Sequence, residues 1–308
     1  MALKNSLYSI TYLGIWYKGE ALTWQEVLER AVKFGFDGVE FGGKLPHANP
    51  MYWTADVRKA VVDKAGSLGL ALPALSANND FSSPVPEHRE AHLLMVKEQL
   101  KLAADLGCKV LRVLAAWPGI TMRDGVANYE EARGNWARAF RDVPLTRRKR
   151  FVTDTLKEAC KYAEEYGVPM ALQNHAPITV TWKDAYDLIM EVDSPWLKMC
   201  FDLNHECDDP DIIREAFDTI GHIDVHNHYN GEWERKDGVP VPKRVLGTDP
   251  QVNYPAFVKG MKRVGYDGYL SFEFCHPAMR GLELAGIDYV DEQAQLALEY
   301  MKDLIANA

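Results

Sequence analysis

No run of about 18 apolar residues occurs in this chain of 308 residues, so no membrane-spanning helix is expected. The N-terminal stretch MALKNSLYSITYLG has neither the long apolar segment nor the small-residue cleavage site of a signal peptide. Cysteine is scarce: Cys108, Cys160, Cys200, Cys207 and Cys275 are scattered and form no C-x-x-C pair. An odd, widely spaced set points to reduced thiols and a cytoplasmic setting, most of them small core residues. Positive charge is in deficit, with 35 Lys and Arg against 44 Asp and Glu and a formal net charge of −9, which disfavours a nucleic-acid partner. The one dense basic run, Arg147–Arg150, reads as a solvated helix start. No G-x-G-x-x-G follows the first predicted strand and no phosphate loop of the P-loop kind is present. Nor is there a linker rich in Gly, Pro or Ser, so residues 1–308 read as one domain.

What the chain has is a repeating unit: amphipathic helix, glycine, then a short apolar strand. It appears as AVKFGFDGVEF, AGSLGLALPALS, AADLGCKVLRVL, AEEYGVPMALQ and MKRVGYDGYLSFEF. Glycine at that place suits a left-handed helix cap. The spacing predicts strands near Leu7–Leu13, Gly38–Phe41, Ala71–Ser76 and Val110–Ala115. Four more follow at Val168–Gln173, Leu197–Asp202, Ile220–His226 and Tyr269–Glu273, with a last helix over about Asp291–Ile305. Eight strands alternating with helices imply an α/β fold, a single-domain (β/α)8 TIM barrel. Three βα loops are long (Gly42–Trp53, Trp117–Thr146 and Tyr229–Asp249), and such loops shape the substrate mouth. The middle one alternates aromatic and charged residues and reads as a lid, an oligomer contact or a plain surface excursion.

The last four strands end on Gln173, Asp202, His226 and Glu273. An amide oxygen, two carboxylates and an imidazole each suit a divalent cation. A single polar residue at a strand end is equally at home in a local hydrogen bond; four in four consecutive strands point to a metal site.

The motifs QNH (Gln173–His175), FDLNH (Phe201–His205), VHNH (Val225–His228) and YDGYLSFE (Tyr266–Glu273) resemble those of the xylose-isomerase-like barrel superfamily, particularly its sugar isomerases and epimerases. The resemblance implies Asp202, His226 and Glu273 as metal ligands, Glu273 as an acid/base, and His205 on a sugar hydroxyl. It implies manganese, with cobalt or magnesium as substitutes. One position departs: Gln173 stands where the family has a glutamate that is both ligand and second base. Its amide can coordinate but cannot accept a proton at neutral pH. His175, two residues on, is the candidate replacement base, or else a structural histidine.

Five tryptophans follow predicted strands (Trp16, Trp53, Trp117, Trp182 and Trp233), as suits the apolar face of a sugar ring or an aromatic aglycone, though ordinary loop packing serves each alone. Trp16 and Trp117 are taken as pocket residues. Glu40, His47, Asn79, Arg112, His205 and His228 are candidate hydroxyl contacts; Arg112 is alternatively an ion-pair partner of Glu40. The expected reaction is proton abstraction beside a sugar carbonyl, giving an enediolate stabilised by the metal. The resemblance also brings β-elimination on a 3-keto-glycoside, as in C-glycoside-cleaving enzymes with a small second subunit. An abasic-site endonuclease and a non-catalytic sugar-binding subunit are further alternatives. The expected partners are a sugar or glycoside, no nucleic acid or membrane, and further copies of the chain.

Overall fold

The computed structural model describes residues 3–203, 209–243 and 252–308. Eight parallel strands close into a barrel: β1 Lys4–Tyr8, β2 Gly38–Gly42, β3 Ala74–Ser76, β4 Val110–Val113, β5 Met170–Gln173, β6 Leu197–Asp202, β7 Asp224–Asn230 and β8 Tyr269–Glu273. They pair in chain order, and β1 closes on β8 with Ser6 opposite Ser271. Among the described residues nine α-helices alternate with and surround the strands: α1 Trp24–Phe34, α2 Ala55–Ser67, α3 Pro86–Asp105, α4 Tyr129–Ala139, α5 Leu145–Tyr166, α6 Trp182–Val192, α7 Pro210–Ile220, α8 Tyr254–Val264 and α9 Ile287–Asn307. None of the described helices is long and apolar enough to cross a membrane.

Local chemistry sets the helix ends. Thr23 caps α1 in a reciprocal box with Glu26, and Thr181 does the same for α6 with Asp184. Gly35 and Gly265, from the first and last copies of the repeat, close α1 and α8 in the left-handed region, at φ +87° and +72°. Outside the barrel, Phe201 of β6 packs against Phe217 of α7 and Phe257 of α8. Gly260 completes that contact, because a Cβ there would overlap the Phe217 ring. Gly260→Ala should therefore cost about 1–3 kcal/mol of stability, read as an earlier urea midpoint with unchanged slope.

Two predicted strands are displaced. The first lies at Lys4–Tyr8, and Ser9–Tyr12 is a 3₁₀ turn. The turn uses the polar members of an otherwise apolar run: Ser9 Oγ accepts from Gly42 N at 2.9 Å and Thr11 Oγ1 accepts from Phe274 N at 3.1 Å. The seventh lies at Asp224–Asn230, because α7 continues through Ile220, whose side chain is buried as a helix residue. The predicted third, fourth and fifth strands are shorter than their apolar runs, starting at Ala74, ending at Val113 and starting at Met170. The Trp117–Thr146 loop holds a small ribbon, Thr121–Arg123 with Val126–Asn128, followed by α4. The Tyr229–Asp249 loop holds a second ribbon, Glu232–Lys236 with Val239–Lys243, and its remainder, residues 244–249, lies outside the described residues.

Side chains alternate across a strand, and the barrel uses this strictly. Ala74, Val110, Ala171 and Cys200 form a small apolar cluster from β3 to β6. Two residues further along the same strands stand Ser76, Arg112, Gln173 and Asp202, all buried. Small side chains thus plug the barrel below, and polar ones crown it at the C-terminal end.

Candidate active site

Asp202, His228 and Glu273 present ligand atoms that all lie within 4.8 Å of one another, and all three are buried. The sequence reading gave the imidazole of this group to His226; the structure brings in His228. The cause is the register of β7, which runs four residues beyond its predicted end and sets His228 level with Asp202. Residues two apart on a strand share its inward face but lie roughly 6–7 Å apart along the axis. His226 then pairs in register with Cys200, one step below, and His228 with Asp202. His226 belongs to a second convergent group, Glu40, His226 and His228.

Glu40 underlies both histidines. It accepts from His226 Nε2 at 2.8 Å, from His228 Nε2 at 3.0 Å and from Ser76 Oγ. Burial opposes its charge, but the two imidazoles outweigh that and hold the carboxyl well below the usual range. Burial likewise works against a charged His228, yet Glu40 and the Cys200 thiol keep that imidazole unusually basic. Tyr8 stacks on the His228 ring at 5.5 Å. His228 Nδ1 is buried with no nitrogen or oxygen partner among the described residues. An imidazole that gives one ring N–H to a carboxylate can offer its other nitrogen to a metal once that nitrogen has lost its proton. Two carboxylates and such an imidazole fit a divalent cation. Gln173 adjoins the group, its amide nitrogen donating to Asp202 Oδ2. The amide predicted as a ligand thus tethers the Asp202 carboxylate in this structure.

Glu273 carries the group into an open chamber of about 450 Å³, lined also by Tyr8, Trp16, Lys44, Arg112, Trp117 and His175. Burial first, then the neighbouring Asp202, raises the Glu273 carboxyl above the ordinary range, against the pull of His228 and Arg112. Arg112 donates to Ser76 Oγ at 3.0 Å, Ala77 O at 3.1 Å and Tyr8 OH at 3.0 Å. Its expected ion pair with Glu40 is absent among the described residues, and the two are linked through Ser76. Glu40 itself is sealed beneath the histidines and does not line the chamber, so it positions them rather than meeting a hydroxyl.

The other predicted contacts divide. Trp16 and Trp117 line the chamber, Trp16 fixed by donating to Ile10 O at 3.0 Å. Trp53 packs on Phe41, Trp182 on Tyr186 and Trp233 on Tyr254, so these three are packing residues. His175 stands in the chamber wall, with Nδ1 against Ala176 O and its ring edge-on to Trp117 at 5.2 Å. His47 is buried beside Phe41, bonds Leu22 O and is pushed down to about 4, first by burial. Asn79 clamps the Leu114 backbone through both ends of its amide. His205 lies outside the described residues.

Asn78 and Lys44 are among the chamber residues that escaped the sequence reading. Asn78, the neighbour of Asn79, has a buried Oδ1 without a partner among the described residues. Lys44 has no side-chain hydrogen bond or ion pair among the described residues, and burial, aided by Arg112, lowers its ammonium pKa to about 8. Neither carries a motif; both sit on loops just beyond a strand end, which is the only signal the sequence offered.

A family model described as xylose isomerase-like TIM barrel matches residues 28–304. Among solved structures, the chain is similar to D-psicose 3-epimerase from Clostridium cellulolyticum H10, with TM-score 0.72, 17% identity and coverage of 98% of this chain and 99% of that one. It is also similar to 3-keto-D-glucoside 4-epimerase, YcjR, from E. coli, with TM-score 0.66, 18% identity and coverage of 96% and 99%. An uncharacterised protein of Methanocaldococcus jannaschii, MJ1311, is 26% identical over 127 residues, a match spanning 39% of this chain and only 41% of that relative. With its closed eight-stranded barrel, the chain belongs to the xylose isomerase-like TIM barrel family.

Proposed function

We propose that this chain is a metal-dependent enzyme of the sugar isomerase or epimerase type, removing a proton beside a sugar carbonyl. The observation that carries the reading is the buried Asp202–His228–Glu273 group, which opens through Glu273 into a chamber walled by aromatic rings and two cations. Asp202 and His228 would hold the ion with Glu273, and Gln173 steadies Asp202. A bound divalent ion, manganese before cobalt or magnesium, supplies Lewis-acid stabilisation of negative charge developing on the substrate.

The residues divide the remaining work. Glu273, made more basic by its surroundings, takes the proton. Trp16 and Trp117 give the ring flat apolar contact and help to keep water out. Lys44, Arg112 and Asn78 Oδ1 offer donors and an acceptor to sugar oxygens. The neighbours' names support this substrate class: one acts on D-psicose and another on a 3-keto-D-glucoside. The test is incubation with manganese and free ketoses in D₂O, followed by NMR. Deuterium entering the carbon beside the carbonyl supports the reading; none with any ketose or 3-keto-glycoside defeats it.

Gln173 favours a second outcome of the same first step. Epimerisation with a base on each face needs two proton acceptors, and an amide is not one. A carbanion formed by one base can instead expel a β-substituent, so 3-keto-glycosides belong in the assay, with aglycone release as the readout.

Lys44 gives a pH signature. Its ammonium is charged below about pH 8 and neutral above. KM should therefore rise above that pH, while Lys44→Met gives a KM about tenfold higher that stays flat across the same range.

A further inference from the structure

A second compartment adjoins the chamber, and Trp117, Tyr129 and His175 belong to the walls of both. The outer space, about 820 Å³ and open to solvent, is completed by Pro118, Trp136 and Pro177 among others. Among the described residues that line it, the polar groups are the Tyr129 hydroxyl, the exposed Arg133, the shared His175 and the two indole N–H groups. That composition does not recognise a second sugar, which needs acids, amides or hydroxyls around it.

The aromatic wall is fixed in place. Trp136 donates from Nε1 to Asp80 Oδ2 at 3.0 Å, stacks on Phe140 at 4.5 Å and carries the Arg148 guanidinium 4.9 Å from its ring. Tyr129 donates to Cys275 O at 2.7 Å and stacks on Trp16 at 5.4 Å. Rings held by their own hydrogen bonds lose little freedom when something flat lies on them. Of these rings, Trp136 lines the outer space and not the inner chamber.

We propose that the outer compartment is an aglycone subsite: the substrate is a glycoside whose sugar ring enters the inner chamber while an attached aryl group stacks on the wall of Trp117, Tyr129 and Trp136. This rests on the reading that the inner chamber takes a sugar. The continuity of the two spaces through three shared residues selects this occupant over an unrelated ligand.

The test measures binding, without turnover, of phenyl and methyl β-glucosides and their 3-keto forms to the full chain by calorimetry. The phenyl compounds should bind at least about tenfold more tightly than the methyl ones, since one well-stacked ring supplies roughly that factor. Trp136→Ala should bring the phenyl-to-methyl ratio close to one. Ala137→Trp, which fills the space from the exposed side of α4, should do the same if Trp136→Ala fails to fold, as a melting curve would show. A wild-type ratio near one, or a ratio that neither folded variant moves, overturns the subsite. Proton exchange on free ketoses without any phenyl preference would leave the enzymatic reading standing and remove the subsite. Phenyl preference without proton exchange on any sugar would do the reverse.

Discussion

Glu273→Gln is expected to lower substrate proton exchange by about 10²–10⁴-fold while leaving KM within a fewfold of its original value, the usual contribution of a positioned general base. The substitution keeps the shape of the side chain and one oxygen, so the bond from Asn230 Nδ2 to Glu273 Oε1, 3.4 Å here, has a counterpart in the variant. What it removes is the proton acceptor. Gln173 is an amide and cannot take over, and the Asp202 carboxylate is engaged by Gln173. Among the described residues, His175 is another titratable candidate identified from sequence that lines the chamber, and its Nδ1 is turned to Ala176 O. Residual exchange in Glu273→Gln that vanishes on adding His175→Ala would assign the remainder to His175. Full activity in Glu273→Gln would sink the proposed role, and parallel metal analysis shows that a lost ion is not the cause of a lost rate.

The second large effect separates two histidines only two residues apart. Protein purified with manganese should hold about one equivalent, and His228→Ala or Asp202→Ala should reduce this close to none. His226→Ala should retain it, because His226 is not in the convergent group of Asp202, His228 and Glu273. The same contrast should appear in stability: an ion at a hundredfold excess over its Kd adds about 2.7 kcal/mol to the wild-type fold and nothing to His228→Ala. His226→Ala carries its own penalty, since it strips Glu40 of one of its two imidazole partners; losing a hydrogen bond to a buried charged group costs about 1.5–3 kcal/mol. Retention of metal by His228→Ala together with its loss in His226→Ala would restore the assignment drawn from sequence and refute the geometric one.

Much of the architecture was legible because it rests on short-range chemistry. The repeated helix–glycine–strand unit marks the helix caps at Gly35 and Gly265, and the apolar runs at Leu197–Asp202 and Tyr269–Glu273 coincide with β6 and β8. Register was not legible. Hydrophobicity places Ile220 equally well at a helix end or in a strand, and nothing local distinguishes His226 from His228, which share an inward face. Partnerships across the barrel were hidden for the same reason. Asn79 and Asn78 are neighbours of one residue type, but one clamps Leu114 and the other faces the chamber. Arg112 and Glu40 looked like a charge pair until Ser76 was found between them.

The pairing of β1 with β8 bears on how the barrel is made. Ser6 meets Ser271 across that seam, and Thr11 caps Phe274, so residues 263 to 265 positions apart complete the cylinder. A ribosome delivers β1 first and β8 almost last. Until then the nascent sheet keeps two unpaired edges, at β1 and at its growing end, and each is a template for wrong pairing with another chain. Closure is a late, long-range event, and shortening the chain before residue 273 would leave the edge of β1 without its natural neighbour.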